Sequence, residues 1–196
     1  MPLDLARIRQ NLTRHSARPL AESGELAHAA VAIILRENTT TSEPDILIIQ
    51  RAEHPLDPWS GHLGFPGGRL EPFDDSPERA AVRETREELD LCLDAHAQLL
   101  GPLSEVRARS LSRLMPLSIF PFVYELVKPA PLNQNGEVVK TCWVPLRFFQ
   151  NMANRSTMPH PRDPAQIMPC YPLGDRAIWG ISLSMLDELL LDVLGK

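Results

Sequence analysis

The chain has 196 residues, 43% of them hydrophobic and 23% charged, which suits one soluble domain with a full apolar core. A formal net charge of -5 argues against nucleic acid as the main partner, but a phosphate-bearing small molecule stays open because a bound cation reverses the local field. No run of about 18 apolar residues is present, so no membrane span is expected, and the three scattered cysteines, Cys92, Cys142 and Cys170, form no zinc or disulfide framework and fit a reducing cytoplasm.

The first stretch, MPLDLARIRQNLTRHSARPLAESGE, lacks the apolar core of a secretory signal. Its arginines resemble those of an organelle transit peptide, but Asp4, Glu22 and Glu25 argue against one. Leu5, Ile8 and Leu12 are spaced for a short amphipathic helix. We therefore expect residues 1–26 to be an N-terminal helical extension and residues 27–196 to be the main domain. Ala27 to Arg36 and Ile46 to Gln50 read as buried strands that pair as a hairpin across the polar ENTTTSEPD loop. The loop from Arg51 to Gly61, with Pro55, Pro58 and Trp59, leads to HLGF and a PGG turn. Ser76-Pro77 reads as an N-cap followed by the first helical residue, predicting a helix from about Pro77 to Leu89. Further strands are expected near Gln98 to Glu105, Ser118 to Leu126 and Val138 to Val144. Five prolines predict an irregular path from Ser156 to Asp175. Ile181 to Leu194 reads as a terminal helix whose apolar stripe packs on its own sheet, a homodimer contact being the alternative. This mixed order predicts an α+β fold rather than strict βαβ alternation.

The chemistry lies in FPGGRLEPFDDSPERAAVRETREEL, Phe65 to Leu89. On a helix, Glu84, Glu87 and Glu88 share one face, and Arg83 stands one turn before Glu87. Three neighbouring carboxylates repel one another, and a hard divalent cation relieves that repulsion, as magnesium prefers oxygen ligands and completes its shell with water and phosphate. The Gly67-Gly68 turn lets the backbone approach, so a Gly68 carbonyl could be a further ligand. Taken alone, the helix reads as an ordinary solvated face and PGG as a turn. The combination is more specific.

PGG, an acidic loop and Arg83-Glu84-Thr85-Arg86-Glu87-Glu88-Leu89-Asp90-Leu91 closely resemble the box of the Nudix hydrolases. The gap from Gly68 to Arg83 is one residue longer than the general pattern, Asp75 holds the position of the first glutamate, and Asp90 that of the closing glycine, which an aspartate in the left-handed conformation can replace. The resemblance implies an α/β/α sandwich, a Mg2+ or Mn2+ cofactor, and hydrolysis of a nucleoside diphosphate linked to another group. It implies metal-ligand roles for Glu84, Glu87 and Glu88, one of which is the base. Glu84 is the first choice as base, with Glu137 as a late-loop alternative that also reads as a plain loop acid. Arg83 would orient Glu87, and Asp75 would assist through a water.

The extra residue after FPGG, the Leu47–Ala52 segment and Ile178-Trp179-Gly180-Ile181-Ser182 resemble the coenzyme A diphosphatase branch. Asp57 stands where that branch has a second arginine, which opens ADP-ribose, NADH or nucleoside diphosphate sugars as alternatives, along with a non-catalytic nucleotide-binding module. Arg51, Trp59 and Arg69 are the substrate-binding candidates. For Trp59 a packing role weighs equally, for Arg51 an ordinary surface role does, and His62 reads as structural.

Overall fold

The computed structural model describes residues 3–20, 26–54, 57, 59–110 and 113–195. Glu22, Glu25, Pro55 and Pro58 lie outside them. Helix α1 (Leu5–Leu12) is capped by the Asp4 carboxylate, which accepts the Arg7 backbone N–H. Strands β1 (Ala27–Glu37) and β2 (Pro44–Arg51) follow, then the short β3 (Leu63–Gly64) and β4 (Gly67–Arg69). Helix α2 spans Pro77–Leu89 and α3 Leu93–His96. Strands β5 (Ala97–Pro102), β6 (Val106–Ser110), β7 (Arg113–Leu126) and β8 (Val138–Pro145) come next, then α4 (Leu146–Gln150). Strands β9 (Ser156–His160), β10 (Asp163–Leu173) and β11 (Arg176–Trp179) precede α5 (Gly180–Glu188), which continues as a π-helical turn over Leu189–Val193.

Among the described residues β1 to β8 form one mixed sheet, and β9, β10 and β11 a second. The β1–β2 hairpin is real but short, with pairing confined to Leu35–Glu37 against Pro44–Ile46. The longer partner of β1 is β7, parallel to it from Ala27↔Leu117 to Leu35↔Glu125. On its other edge, β1 receives β4 through Ala29↔Arg69 and Val31↔Gly67. That pairing seats the double-glycine turn in the middle of the sheet.

Strand alternation divides the core in two. Ala30, Ala32, Ile34, Leu47 and Ile49 face Ala80, Ala81, Val82 and Leu89 of α2. Ile33, Leu35, Ile46 and Ile48 face the opposite way, onto Ile8 and Leu12 of α1 and Leu183, Leu186 and Leu189 near the C-terminus. Helices on both faces of a mixed sheet give the expected α/β/α sandwich. The terminal helix spends its apolar stripe on this core, and α1 shares that core rather than standing apart from it.

The region from Ser156 to Asp175 corrects an expectation, since it forms two strands. The reason is local pairing. Before Cys170, β10 bonds only to β9, and after it only to β11. Pro169 and Pro172 therefore each have an open side for the missing N–H, which prolines in strands require. Pro164 falls in the register shift between Asp163 and Ile167.

Candidate active site

Helix α2 begins and ends where its sequence dictates. The Ser76 side chain accepts the Arg79 N–H, and Pro77 occupies the first turn. Asp90 ends the helix at φ 56°, ψ 22°, the left-handed conformation that closes many helices. Two carbonyls at that end, left without helical partners, are taken up by a later loop: the Asn133 N–H donates to Leu89 O and the Asn135 N–H to Glu88 O. The segment carrying Glu137 is thereby moored to the C-terminal end of α2.

The two glycines explain how the carboxylates are held. Gly67 has φ 148°, and a Cβ there would lie 2.2 Å from Ala30 O, so no other residue fits between β1 and the helix. Its N–H donates to Glu88 Oε2 at 2.9 Å. At Gly68 a Cβ would lie 2.4 Å from the Glu84 carboxyl carbon. The missing side chain is the seat of the Glu84 carboxylate. Glu88 is 1% exposed, and burial pushes its pKa up to about 7 against the opposing pull of the Gly67 N–H and Arg51. Burial also raises Glu84, opposed by Arg83 and reinforced by the charges of Glu87 and Glu137. Glu87 stands farther out, with its side chain 54% exposed beside Arg83.

Arg83 ties this face together. Its Nε and Nη2 form a two-pronged bond to Asp74 at 3.0 and 2.9 Å. Nη1 reaches Glu84 at 2.9 Å and Glu87 at 3.1 Å, and Nη2 also meets Arg69 O at 2.9 Å. Asp74 comes first among the groups that raise the Arg83 pKa, and the same bond holds Asp74 below the usual aspartate range. Asp75, the candidate for assistance through a water, is exposed, and the acid that bonds Arg83 is its neighbour Asp74, which the sequence reading did not single out. The signal was present in the FDD tract, yet loop spacing carries no period with which to choose between adjacent acids.

Comparison with known proteins identifies the family. The family model described as NUDIX domain matches residues 26–161. The chain belongs to the NUDIX family. A mouse protein named mitochondrial coenzyme A diphosphatase NUDT8 is 26% identical over 98% of this chain and 88% of its own length. An uncharacterized Schizosaccharomyces pombe protein is 38% identical over 54% of this chain and 33% of its own, and an uncharacterized Nudix hydrolase NudL of Yersinia enterocolitica 32% identical over 51% and 49%. The chain thus matches half or less of the length of those two relatives. Among solved structures, the NUDIX domain of Shewanella oneidensis NrtR complexed with ADP ribose superposes with TM-score 0.52, covering 94% of this chain and 97% of that one at 18% identity. A C. elegans Ap4A hydrolase binary complex gives TM-score 0.53 at 19% identity, over 65% and 86%. At these identities the structures establish the fold.

The remaining Nudix-site candidates divide by position. Arg51, at the end of β2, donates Nε and Nη2 to Asp57 Oδ2 at 3.1 and 2.9 Å, while its Nη1 stands 3.8 Å from Glu88 Oε1. Asp57 also accepts the Trp59 backbone N–H. Trp59 packs against the larger apolar cluster while remaining partly exposed. Arg69 offers its carbonyl to Arg83, and its exposed side chain points to no described partner. Glu137 is exposed, but its charge reaches both Glu84 and Glu88.

Among the described residues no three acidic, histidine or cysteine side chains converge as a finished metal cage. The donor set still suits a hard divalent cation. Two carboxylates crowd the same glycine turn with pKa values that burial raises despite Arg83 and Arg51, and such cations accept few protein ligands. Glu84 and Glu88 are the residues best placed to hold one, with Glu87 and the Gly68 backbone beside them.

Proposed function

We propose that the protein is a metal-dependent diphosphatase that splits a nucleoside diphosphate joined to a second group. Coenzyme A or an acyl derivative is the leading substrate, giving 3',5'-ADP and (acyl-)phosphopantetheine. One observation carries the reading: Glu84 and Glu88 meet at Gly67-Gly68, one seated where a side chain is missing and the other buried under a backbone N–H. Glu88 is buried and Glu84 half-buried, and apart from the Arg83 bond to Glu84 and the Gly67 N–H to Glu88 little offsets their charge, which is costly. The likeness to mouse coenzyme A diphosphatase over nearly the whole chain supports the choice of substrate.

When bound, Mg2+ or Mn2+ would neutralise the charge of the diphosphate. The chain's own residues supply the rest. Glu84 accepts a proton from the attacking water, with Glu137 as the alternative base. Arg83, fixed by Asp74, orients Glu84 and Glu87. Asp75 is left a supporting role through a water at most. Arg51 and Arg69 flank the diphosphate, and Trp59 shapes the neighbouring loop. The compartment proposed is the cytoplasm: Cys92, Cys142 and Cys170 are unpaired, and among the described residues no helix is long and apolar enough to cross a membrane.

A second reading, hydrolysis of ADP-ribose, NADH or a nucleoside diphosphate sugar, is favoured by Asp57, which pairs with Arg51 where the coenzyme A branch has another arginine. The purified protein, assayed with magnesium or manganese against coenzyme A and these compounds, decides between them by the products released. Release of 3',5'-ADP supports the first reading, and release of AMP from ADP-ribose alone supports the second. Cleavage of none of them overturns both and leaves a binding module, whose affinity would survive Glu84→Gln.

A further inference from the structure

The loop between β2 and β3 closes on itself at a narrow neck. The Arg51 N–H donates to His62 O at 3.0 Å, and the Gly61 N–H to Ala52 O at 3.4 Å. The Ala52 N–H in turn donates to Glu137 O at 2.8 Å, which binds the neck to the loop moored at α2. From inside the loop, Asp57 reaches back to this neck. Its two oxygens are divided: Oδ1 accepts the Trp59 N–H at 2.9 Å, and Oδ2 takes both Nε and Nη2 of Arg51 at 3.1 and 2.9 Å. The Ser60 N–H donates to Asp57 O at 3.1 Å, and Trp59 packs against the apolar core. Asp57 is therefore held by its own loop independently of Arg51.

This arrangement uses only one edge of the guanidinium. Arg51 Nη1 lies on the other side, 3.8 Å from Glu88 Oε1. That separation is too long for a hydrogen bond, and among the described residues no acceptor takes an Nη1 hydrogen. The Arg51 side chain is 31% exposed and that of Asp57 16%, so solvent screens this pair less than one on the open surface. Fixing an arginine beforehand removes the cost of ordering it when a ligand binds. The corner that stays available faces the acids of the glycine turn, where the diphosphate of the proposed substrate lies.

We infer that Asp57 is a positioning residue: it holds Arg51 by one edge so that Nη1 meets a diphosphate oxygen on the Glu88 side of the site. A guanidinium gripped in this way still offers donors suited to such an anion. The acid that stands in place of a second arginine orients the first one and does not read the group beyond the diphosphate. The inference rests on the diphosphatase reading, and it makes Asp57 matter equally for every diphosphate substrate.

The test is a double-mutant cycle on Arg51 and Asp57, read by binding and by turnover. Binding is measured calorimetrically with Mg2+ and α,β-methylene-ADP, whose bridging carbon resists hydrolysis. Asp57→Asn should weaken binding about tenfold, the worth of one charge-assisted contact, and Arg51→Gln at least as much. In the Arg51→Gln background Asp57→Asn should have no further effect, because Asp57 acts through Arg51. An acid that only shaped the loop would weaken binding equally in both backgrounds. In turnover, Asp57→Asn should raise KM about tenfold with kcat little changed, by the same factor for whichever of coenzyme A, ADP-ribose and NADH are cleaved. Thermal melting verifies that each variant is folded. Should Asp57→Asn unfold, Asp57→Ser carries the cycle, since its hydroxyl still accepts the Trp59 N–H. Additive effects, a wild-type protein that does not bind the analogue, or a KM rise confined to one substrate overturns the inference. If the two substitutions are fully coupled in binding but none of the compounds is cleaved, the positioning role stands and the hydrolytic reading falls.

Discussion

Two buried carboxylates, one at each end of β2, carry opposite designs. Asp45 is 2% exposed and Glu88 1%. Asp45 receives Arg36 through Nε and Nη2 at 3.3 and 3.2 Å, and Asn38 Nδ2 touches both its oxygens at 3.3 and 3.1 Å. Arg36 is itself steadied over the Trp143 ring at 4.2 Å. Glu88 has one backbone N–H and a guanidinium nitrogen 3.8 Å away, with Glu84 crowding the same turn. The first acid is fully satisfied by the fold and closes a hairpin. The second is left short of positive charge, which is how a site is built to receive a cation.

This contrast can be broken by substitution. The largest effect is expected at the box: Glu88→Gln and Glu84→Gln should each lower the hydrolysis rate at least about a hundredfold. Glu88→Gln should leave the melting temperature unchanged or higher, because an amide still accepts the Gly67 N–H without a buried charge. A large loss of stability would place Glu88 with Asp45 as a structural acid. Gly68→Ala should come next, costing about a hundredfold in rate by displacing Glu84, with circular dichroism reporting an intact fold. Asp45→Ala should do the reverse, lowering unfolding free energy by about 1–3 kcal/mol in urea titrations while activity per folded molecule stays the same.

The smallest effect is at Asp74. Its folded pKa lies below its unfolded value because Arg83 bonds to the charged form. Its contribution is therefore full above the unfolded pKa and disappears as pH falls through the lower folded one. Asp74→Asn should flatten the acid limb of stability below about pH 4, as read by melting temperature against pH. An unchanged limb would mean that the Asp74–Arg83 bond contributes nothing to the fold.

How far the sequence discloses these features depends on whether a period carries them. Helix α2 was legible to its ends, because Ser76-Pro77 marks its start and the 3.6-residue spacing aligns Glu84 with Glu88. The left-handed Asp90 was legible as a substitute for glycine. Asp74 was not, since neighbouring loop acids differ by no rule readable from spacing. The parallel pairing of β1 with β7 was not, because it joins Ala27–Leu35 to residues far along the chain. The second sheet stayed hidden for a related reason: five prolines obscured β9 and β10.

The central claim, that the α2 carboxylates at the glycine turn exist to bind a divalent cation, is tested most directly by titrating the protein with Mn2+ and following water-proton relaxation. The account predicts saturable enhancement in the wild-type protein that is lost in Glu84→Gln/Glu88→Gln and unchanged in Asp45→Ala. Equal enhancement in all three proteins, or none in the wild type, would contradict it.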